Sequence, residues 1–135
     1  MSGKPDRFDD APISRLVGFD VLPNDDGDDV GVARVQIKCT HHHHNPMQRV
    51  HGGLIAALAD AAMGIAFGRT LMDDQDFSTI EMKVNFIRPV RDGMIIAKAR
   101  VVERGLRIGF VDCEITTLRG KRVATATSTC TVVSK

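Results

Sequence analysis

The stretch that decides the fold runs from His41 to Gly68 and reads HHHHNPMQRVHGGLIAALADAAMGIAFG. It contains all five histidines of the chain and continues into an almost unbroken apolar run. Because Ala, Leu, Met and Ile dominate that run, it predicts a long helix from residue 53 to about residue 71. A helix that is apolar nearly all round must be buried, and its small residues allow a curved sheet to wrap closely around it.

Strand patterns make up most of the remaining sequence. The clearest alternation of apolar and polar residues is in segment 80–86, where the apolar residues are Ile80, Met82, Val84 and Phe86. This pattern is typical of a strand with one solvent-exposed face. Four further segments are rich in Val, Ile and Thr, and their short connections favour antiparallel pairing. These segments are 30–38, 94–103, 107–118 and 122–133. We therefore expect an α+β fold in which one long central helix is wrapped by an antiparallel sheet of five to six strands.

Composition limits the class of protein. A chain of 135 residues, 43% hydrophobic and 26% charged, fits a single domain over residues 1–135, with residues 1–13 expected to be flexible. The net charge of +1 gives no overall electrostatic case for nucleic acid or an anionic membrane. The longest apolar run is short for a bilayer span, and no secretory signal opens the sequence. A cytoplasmic protein with three reduced core cysteines is expected.

One acid, Asp60, interrupts the apolar run. Burying a carboxylate without a partner costs several kcal/mol, so Asp60 needs a hydrogen-bonding partner, a raised pKa or a water-lined cleft. The alternative is that Asp60 caps a neighbouring loop or faces solvent along an exposed strip of the helix. Only the first interpretation makes Asp60 a candidate catalytic residue.

The start of the predicted helix carries further polar groups. Gly52 and Gly53 leave the first backbone N–H groups unobstructed at the positive end of the helix dipole, where an oxyanion could dock. Asn45 supplies an amide that could hold a water or a carbonyl, and His51 could orient the loop through its ring nitrogens.

Together these residues resemble a known family. The segment NPMQRVHGGLIAALADAAMG is similar to the Asn, His-Gly-Gly and helix-Asp signature of hotdog-fold acyl-CoA thioesterases of the phenylacetate-degradation type, which are 4-hydroxybenzoyl-CoA thioesterase-like. The resemblance extends to STIEMKVNFIRPVRDG at residues 78–93 and covers most of residues 14–133. It implies a hotdog fold and an acyl-CoA thioesterase activity.

The resemblance also implies a role for each matching residue. Asp60 corresponds to the nucleophile or general base of the family, and Gly52 to the backbone N–H that polarises the thioester carbonyl. Asn45 corresponds to the water-positioning amide, and His51 is similar to the residue that braces the loop. Thr79 falls where the family has a Ser or Thr close to the acid.

Gln48 departs from the family pattern, in which Gly is frequent at this position. The run His41 to His44 invites a metal site, but adjacent residues in an extended segment point to alternate sides, and no acid or Cys lies beside them. A polar loop that leads into the active site is the favoured interpretation, with His44 closest to Asn45. Neither a metal nor another cofactor is expected, since coenzyme A would be part of the substrate.

Arginines at predicted turns are candidates for contacts to the coenzyme A phosphates. Arg88, Arg91, Arg104 and Arg107 could grip phosphates bidentately or could be solvated surface charges. Gly53, at the helix start, is expected to contact the substrate.

The sequence therefore predicts an enzyme that hydrolyses an aryl- or medium-chain acyl-CoA to the free acid and CoA. Gly52 and Asp60 lie eight residues apart, about 12 Å along one helix, so one thioester carbonyl cannot touch both. Active sites at the interface of a homodimer are expected, either in a dimer or in a tetramer built as a dimer of dimers. The alternatives are a non-catalytic acyl-CoA-binding hotdog module and a hotdog hydratase or dehydratase.

Overall fold

The computed structural model describes residues 6–135 and consists of two helices and six strands. A 3-10 turn at Asp6–Phe8 precedes the first helix, and another at His41–His43 lies in the histidine run. The helices are α1 (Pro12–Val17) and α2 (Gly52–Gly68), and the strands are β1 (Asp20–Leu22), β2 (Val32–Cys39), β3 (Gln75–Phe86), β4 (Gly93–Arg104), β5 (Ile108–Thr117) and β6 (Arg122–Ser134).

All six strands form one antiparallel sheet in the order β1-β2-β4-β5-β6-β3. Alternate residues of the strands face α2, among them Val35, Ile95, Ile115 and Ala124, each at most 1% exposed. The extra residues Ile80 and Val102 form bulges that increase the local twist, which helps the sheet to curve around the helix. The predicted hotdog architecture of one helix wrapped by an antiparallel sheet is confirmed.

The long helix differs from the prediction at its end and in its burial. It stops at Gly68, three residues earlier than expected, because the Thr70 hydroxyl and backbone N–H both donate to the Phe67 carbonyl. Its second half is buried, but Ala57 and Ala61 are half-buried and Asp60 is exposed. The prediction that the helix is buried all round is therefore wrong for one strip of its first half in the single chain.

A buried arginine fixes the chain before α1 to the end of α2. Arg69 is 8% exposed, and its guanidinium donates to both carboxylate oxygens of Asp9 at 3.1 and 3.2 Å. It also donates to Asn24 Oδ1 at 2.9 Å and to the Val32 carbonyl at 2.8 Å. Residues 6–13, for which flexibility is expected from the sequence, thus include a 3-10 turn, an ion pair and the start of α1; residues 1–5 lie outside the described part.

The strand β3 forms one edge of the sheet. It pairs with β6 on one side, and no strand of residues 6–135 pairs with its other side. Ile80 and Phe86 of this strand are each 58% exposed. Across the same described residues, neither helix is long and apolar enough to cross a bilayer. Cys39, Cys113 and Cys130 are free and buried, as predicted.

Candidate active site

The start of α2 leaves one backbone donor open. His51 is the N-cap residue of the helix, and its Nδ1 accepts a hydrogen bond from the Gly53 N–H at 2.8 Å. The Gly52 N–H has no acceptor among residues 6–135. The Gly52 N–H is open at the position where the sequence predicts a donor. The His51 side chain, expected to brace the loop, bonds instead to the first turn of the helix. The Gly53 N–H, by contrast, is used by the cap.

A tight loop precedes the helix and is folded by Asn45. The Asn45 Oδ1 accepts from the backbone N–H groups of Met47 at 2.9 Å and Arg49 at 3.2 Å, which is an Asx-type turn. Its Nδ2 has no acceptor in the described part of the chain, so the amide keeps one free donor group. Gln48 has φ 63°, in the left-handed region that favours glycine. The loop therefore forms with a non-glycine residue in a conformation that glycine adopts without strain.

The histidine run is largely committed to structural hydrogen bonds. His43 Nδ1 accepts from the Thr40 N–H at 3.0 Å, which leaves Nε2 as the protonated nitrogen that donates to the Val17 carbonyl at 3.0 Å. His44 Nε2 lies 2.6 Å from the Arg91 carbonyl oxygen. Over residues 6–135, no three His, Cys, Asp or Glu side chains are grouped so that they could hold a metal ion. The run ties α1 and the 91–93 turn to the loop before α2.

Asp60 lies on the exposed strip of α2, between Ala57 and Ala61. Its carboxylate has no hydrogen-bond or charged partner in the described residues, and desolvation by the protein around it raises the pKa of Asp60 above its usual range. The side chain thus faces outward in the single chain, as the alternative interpretation expected, on a strip whose other residues are apolar.

Thr79 lies close to the acid, where β3 passes α2. Asp60 and Thr79 line the same cavity, and Thr79 Oγ1 is 3.8 Å from Cys130 Sγ. Burial, together with the negative charges of Asp60 and Glu81, raises the pKa of the Cys130 thiol. Thr79 makes no hydrogen bond to Asp60 in the single chain. The structure therefore brings Asp60 and Thr79 together. Gly52 lies about 12 Å along the helix from Asp60, and Asn45 belongs to the loop before the helix.

The four candidate arginines divide between the two ends of the sheet. Arg88 and Arg91 belong to the turn beside the start of α2, where Arg88 Nη1 donates to the Arg122 carbonyl at 2.7 Å. Arg104 and Arg107 belong to the β4–β5 hairpin near the other end of α2. Arg104 Nε donates to Thr70 Oγ1 at 2.9 Å, and its guanidinium lies 5.0 Å from the centre of the Phe67 ring.

Sequence patterns gave no signal for the aromatic residues near Asp60. Phe8 and Phe77, which line the same cavity as the acid, are 69 positions apart in the sequence and meet only in the folded chain. The anchoring of α1 by His43 was also not predicted, because it joins residues 26 positions apart.

Comparison with known proteins agrees with the geometry. The profile of the thioesterase superfamily matches residues 47–124. A conserved protein of Pseudomonas aeruginosa is 33% identical and superposes with a TM-score of 0.86 over 96% of this chain and 100% of its own. A protein from the phenylacetic acid degradation operon of E. coli is 25% identical, with a TM-score of 0.83 over 94% of this chain and 88% of its own.

A 1,4-dihydroxy-2-naphthoyl-CoA hydrolase of Listeria monocytogenes is 27% identical over 78% of this chain and 84% of its own length. Matches to two further relatives, both provisionally named esterases, span 41% and 57% of those relatives' lengths, about half of each. The profile match begins two residues after Asn45 and includes the whole of α2 and the strands β3 to β5. The chain therefore belongs to the thioesterase superfamily.

Proposed function

We propose that the chain hydrolyses acyl-CoA thioesters at a site shared between two copies. The observation that carries this proposal is the pair of groups on α2 without a hydrogen-bond partner in residues 6–135, the Gly52 N–H and the Asp60 carboxylate, which lie about 12 Å apart along the helix. Thioester hydrolysis needs a hydrogen-bond donor for the oxyanion, which the Gly52 N–H supplies, and a base or nucleophile, which Asp60 supplies. One substrate carbonyl cannot reach both within one chain.

A second copy of the chain would complete the site. The edge of β3 has no strand partner among residues 6–135, and the nearby strip of α2 carries the exposed Asp60 between the half-buried Ala57 and Ala61. Antiparallel pairing of two β3 edges across a two-fold axis would set the two α2 helices side by side. In that arrangement Gly52 and Asn45 of one protomer face Asp60 of the partner subunit, so that each dimer holds two sites. Whether dimers pair further into a tetramer does not affect this site.

The chemistry follows from the groups present. The Asp60 carboxylate either attacks the thioester carbonyl carbon directly or takes a proton from an attacking water, and both routes use the same residues. The oxyanion that forms accepts a hydrogen bond from the Gly52 N–H at the positive end of α2. The C–S bond then breaks, and CoA leaves as a thiolate that takes up a proton. After attack by water, the free acid is formed in this step; after direct attack, Asp60 is left in a mixed anhydride, which water hydrolyses to the free acid and the Asp60 carboxylate. Asn45 Nδ2 orients the water, the Thr79 hydroxyl supports the acid, and His51 holds the loop; no cofactor enters these steps.

The four arginines are proposed contacts for the CoA phosphates. Arg88 and Arg91 are exposed beside the start of α2, while Arg107 is exposed on the distant hairpin. Arg104 is held by Thr70 and Phe67, which leaves it less free to move toward a ligand. Replacing Arg91 by Ala should raise KM with little change in kcat, because the phosphate contact is the same in the ground state and the transition state.

Release of free thiol from a panel of acyl-CoA thioesters tests the proposed reaction. The panel contains acetyl-, hexanoyl-, benzoyl- and dodecanoyl-CoA, and the Asp60→Asn protein serves as the matched control. We expect hydrolysis of at least one aryl or medium-chain thioester by the natural sequence. A folded protein that releases no thiol from any member would contradict the proposal.

Subunit complementation tests the shared site. Asp60→Ala and Asn45→Ala proteins, each inactive alone, are unfolded together and reassembled. A mixed dimer carries both lesions in one site and neither in the other. Because random pairing makes about half of the dimers mixed, activity should recover to roughly a quarter of the natural level. If mass spectrometry confirms exchange and no activity returns, the site lies within one chain.

A further inference from the structure

A cavity of about 240 Å³ lies between α1, α2 and β3, and the proposed acid opens onto it. Asp60 and Thr79 line the cavity together with residues from all three elements. Asp60 is the one ionisable side chain among the lining residues of the described chain, and most of the others are apolar. A group that enters this space is therefore met by a carboxylate on one side and by apolar atoms elsewhere.

The α2 wall of the cavity is made of small residues. Ala57, Ala61 and Gly64 follow one another at intervals of four and three positions, so they lie on one face of the helix beside Asp60. Glycine in a helix interior costs about 1 kcal/mol relative to alanine. At Gly64 a Cβ atom would lie 3.0 Å from the Phe77 ring, which is tighter than normal contact. The wall therefore has little side-chain bulk, and the cavity exists because these residues are small.

Three aromatic side chains, Phe8, Phe19 and Phe77, line the cavity. Phe77 is held edge-on by Phe8, with ring centres 5.3 Å apart, and by Phe67, at 5.9 Å. Because Phe77 has a neighbour on two sides and Gly64 against it, its ring is not free to swing away. This limits the depth of the cavity.

The opposite wall is the short helix α1. Ile13 and Ser14 of this helix line the cavity, and Ile13 remains 59% exposed. Two anchors hold the helix and the chain before it in place, His43 Nε2 bonded to the Val17 carbonyl and Arg69 paired with Asp9. An isolated helix of six residues is not stable in water, so these contacts determine where the wall stands.

We propose that this cavity binds the acyl group of the substrate, and that Ala61 and Ile13 determine which acyl groups fit. This inference rests on the proposed thioester hydrolysis. An apolar cavity of about 150 Å³ accommodates benzene, so about 240 Å³ accommodates one aromatic ring or a short branched chain with a few further atoms. The substrate class is accordingly compact, uncharged acyl groups, and long straight chains are excluded.

The test compares kcat/KM across acyl groups rather than activity alone. In Ala61→Leu the added side chain fills the cavity, and we expect the ratio of kcat/KM for benzoyl-CoA to that for acetyl-CoA to fall at least tenfold. Ile13→Ala removes bulk from the α1 wall, and the ratio for dodecanoyl-CoA to benzoyl-CoA should rise several-fold. Leu16→Ala is the matched control, because Leu16 is on the same helix, is 85% exposed and does not line this cavity. Its ratios should equal those of the natural sequence.

A binding measurement separates this inference from the reaction. The ketone analogue of benzoyl-CoA, in which a methylene group replaces the sulfur, is titrated by calorimetry into the natural sequence and into Ala61→Leu. Tenfold weaker binding of the analogue to the variant supports the inference, whether or not thioesters are hydrolysed. A lack of hydrolysis beside this result would contradict the proposed function alone. If Ala61→Leu does not fold, Ile13→Trp narrows the cavity from its exposed wall.

If Ala61→Leu and Ile13→Ala both hydrolyse thioesters with the same kcat/KM ratios as the natural sequence, the inference is overturned. The proposed function would then still stand. Equal analogue affinity in the natural sequence and the cavity-filling variant would also overturn it. Absence of both binding and hydrolysis contradicts both proposals.

Discussion

His51 Nδ1 accepts a hydrogen bond from the Gly53 N–H at 2.8 Å and thereby caps α2. A Cβ on Gly53 would lie 2.9 Å from that nitrogen, so the cap depends on the glycine as well as on the histidine. Removing the cap in His51→Ala should lower the free energy of unfolding by about 1 kcal/mol. His51→Asn, which supplies another capping side chain, should restore most of that stability. Urea denaturation measures both variants, and equal losses in the two would exclude capping as the cause.

Asp60→Asn should abolish most of the hydrolysis and leave the fold intact. The amide has nearly the shape of the carboxylate but is neither a base nor an effective nucleophile, so kcat should fall about 10²-fold or more. Steady-state rates and circular dichroism measure the two properties separately. If a folded Asp60→Asn protein hydrolyses thioesters at the natural rate, Asp60 is a surface residue without a catalytic role.

The raised pKa of Asp60 predicts opposite effects of pH on activity and stability. The reaction needs the ionised acid, so kcat/KM should decline as pH falls, with its midpoint above the usual 3.8 of aspartate. Folding, in contrast, favours the protonated form, so stability is lost as pH rises from 3.8 through the pKa of the folded state. Above that pKa, Asp60→Asn should melt at a slightly higher temperature than the natural sequence, and below pH 3.8 the two should coincide. A lower melting temperature for the variant at neutral pH would show that the carboxylate is stabilised by a partner.

Gln48→Gly should stabilise the protein by about 1 kcal/mol, because glycine adopts a φ of 63° without steric cost. Replacing a glycine by a residue with a Cβ is the control, and Gly93 is suitable because its φ is 90° and an added Cβ meets no atom within 4 Å. Gly93→Ala should therefore destabilise through the backbone alone. Denaturant midpoints compare the two, and a destabilised Gln48→Gly protein would mean that the Gln48 side chain makes contacts in the assembled protein.

Chelation should leave hydrolysis unchanged. The proposed steps use a carboxylate, an amide and a backbone N–H, and none requires a Lewis acid. Rates are compared before and after prolonged dialysis against EDTA. Activity that is lost on dialysis and returns with Zn²⁺ would direct attention back to the segment His41 to His44.

The predictable parts of the fold are those with long, regular patterns. The apolar run of α2 and the alternation in β3 extend over enough residues for periodicity to identify them. The strand β1 has three residues and α1 has six, and their positions depend on contacts with distant parts of the chain. Short elements of this kind carry too little local preference to be recognised from sequence.

The candidate site was predictable to the extent that its residues lie in one segment. Asn45, His51, Gly52 and Asp60 occur within sixteen positions, so a motif can identify them. The sequence left burial and exposure of Asp60 as two open interpretations, because the pattern of small apolar residues around it is the same in both cases. The cavity walls required the folded chain, since α1 and β3 reach Asp60 from positions far apart in sequence.

The open edge of β3 also affects the newly made chain. Along this edge strand of twelve residues, alternate residues present unpaired backbone donors and acceptors, to which an extended segment of another chain can add. The bulge at Ile80 and the charge of Lys83 hinder such additions without preventing them. Rapid synthesis should therefore favour insoluble aggregates, and slower synthesis at lower temperature should increase the yield of folded protein.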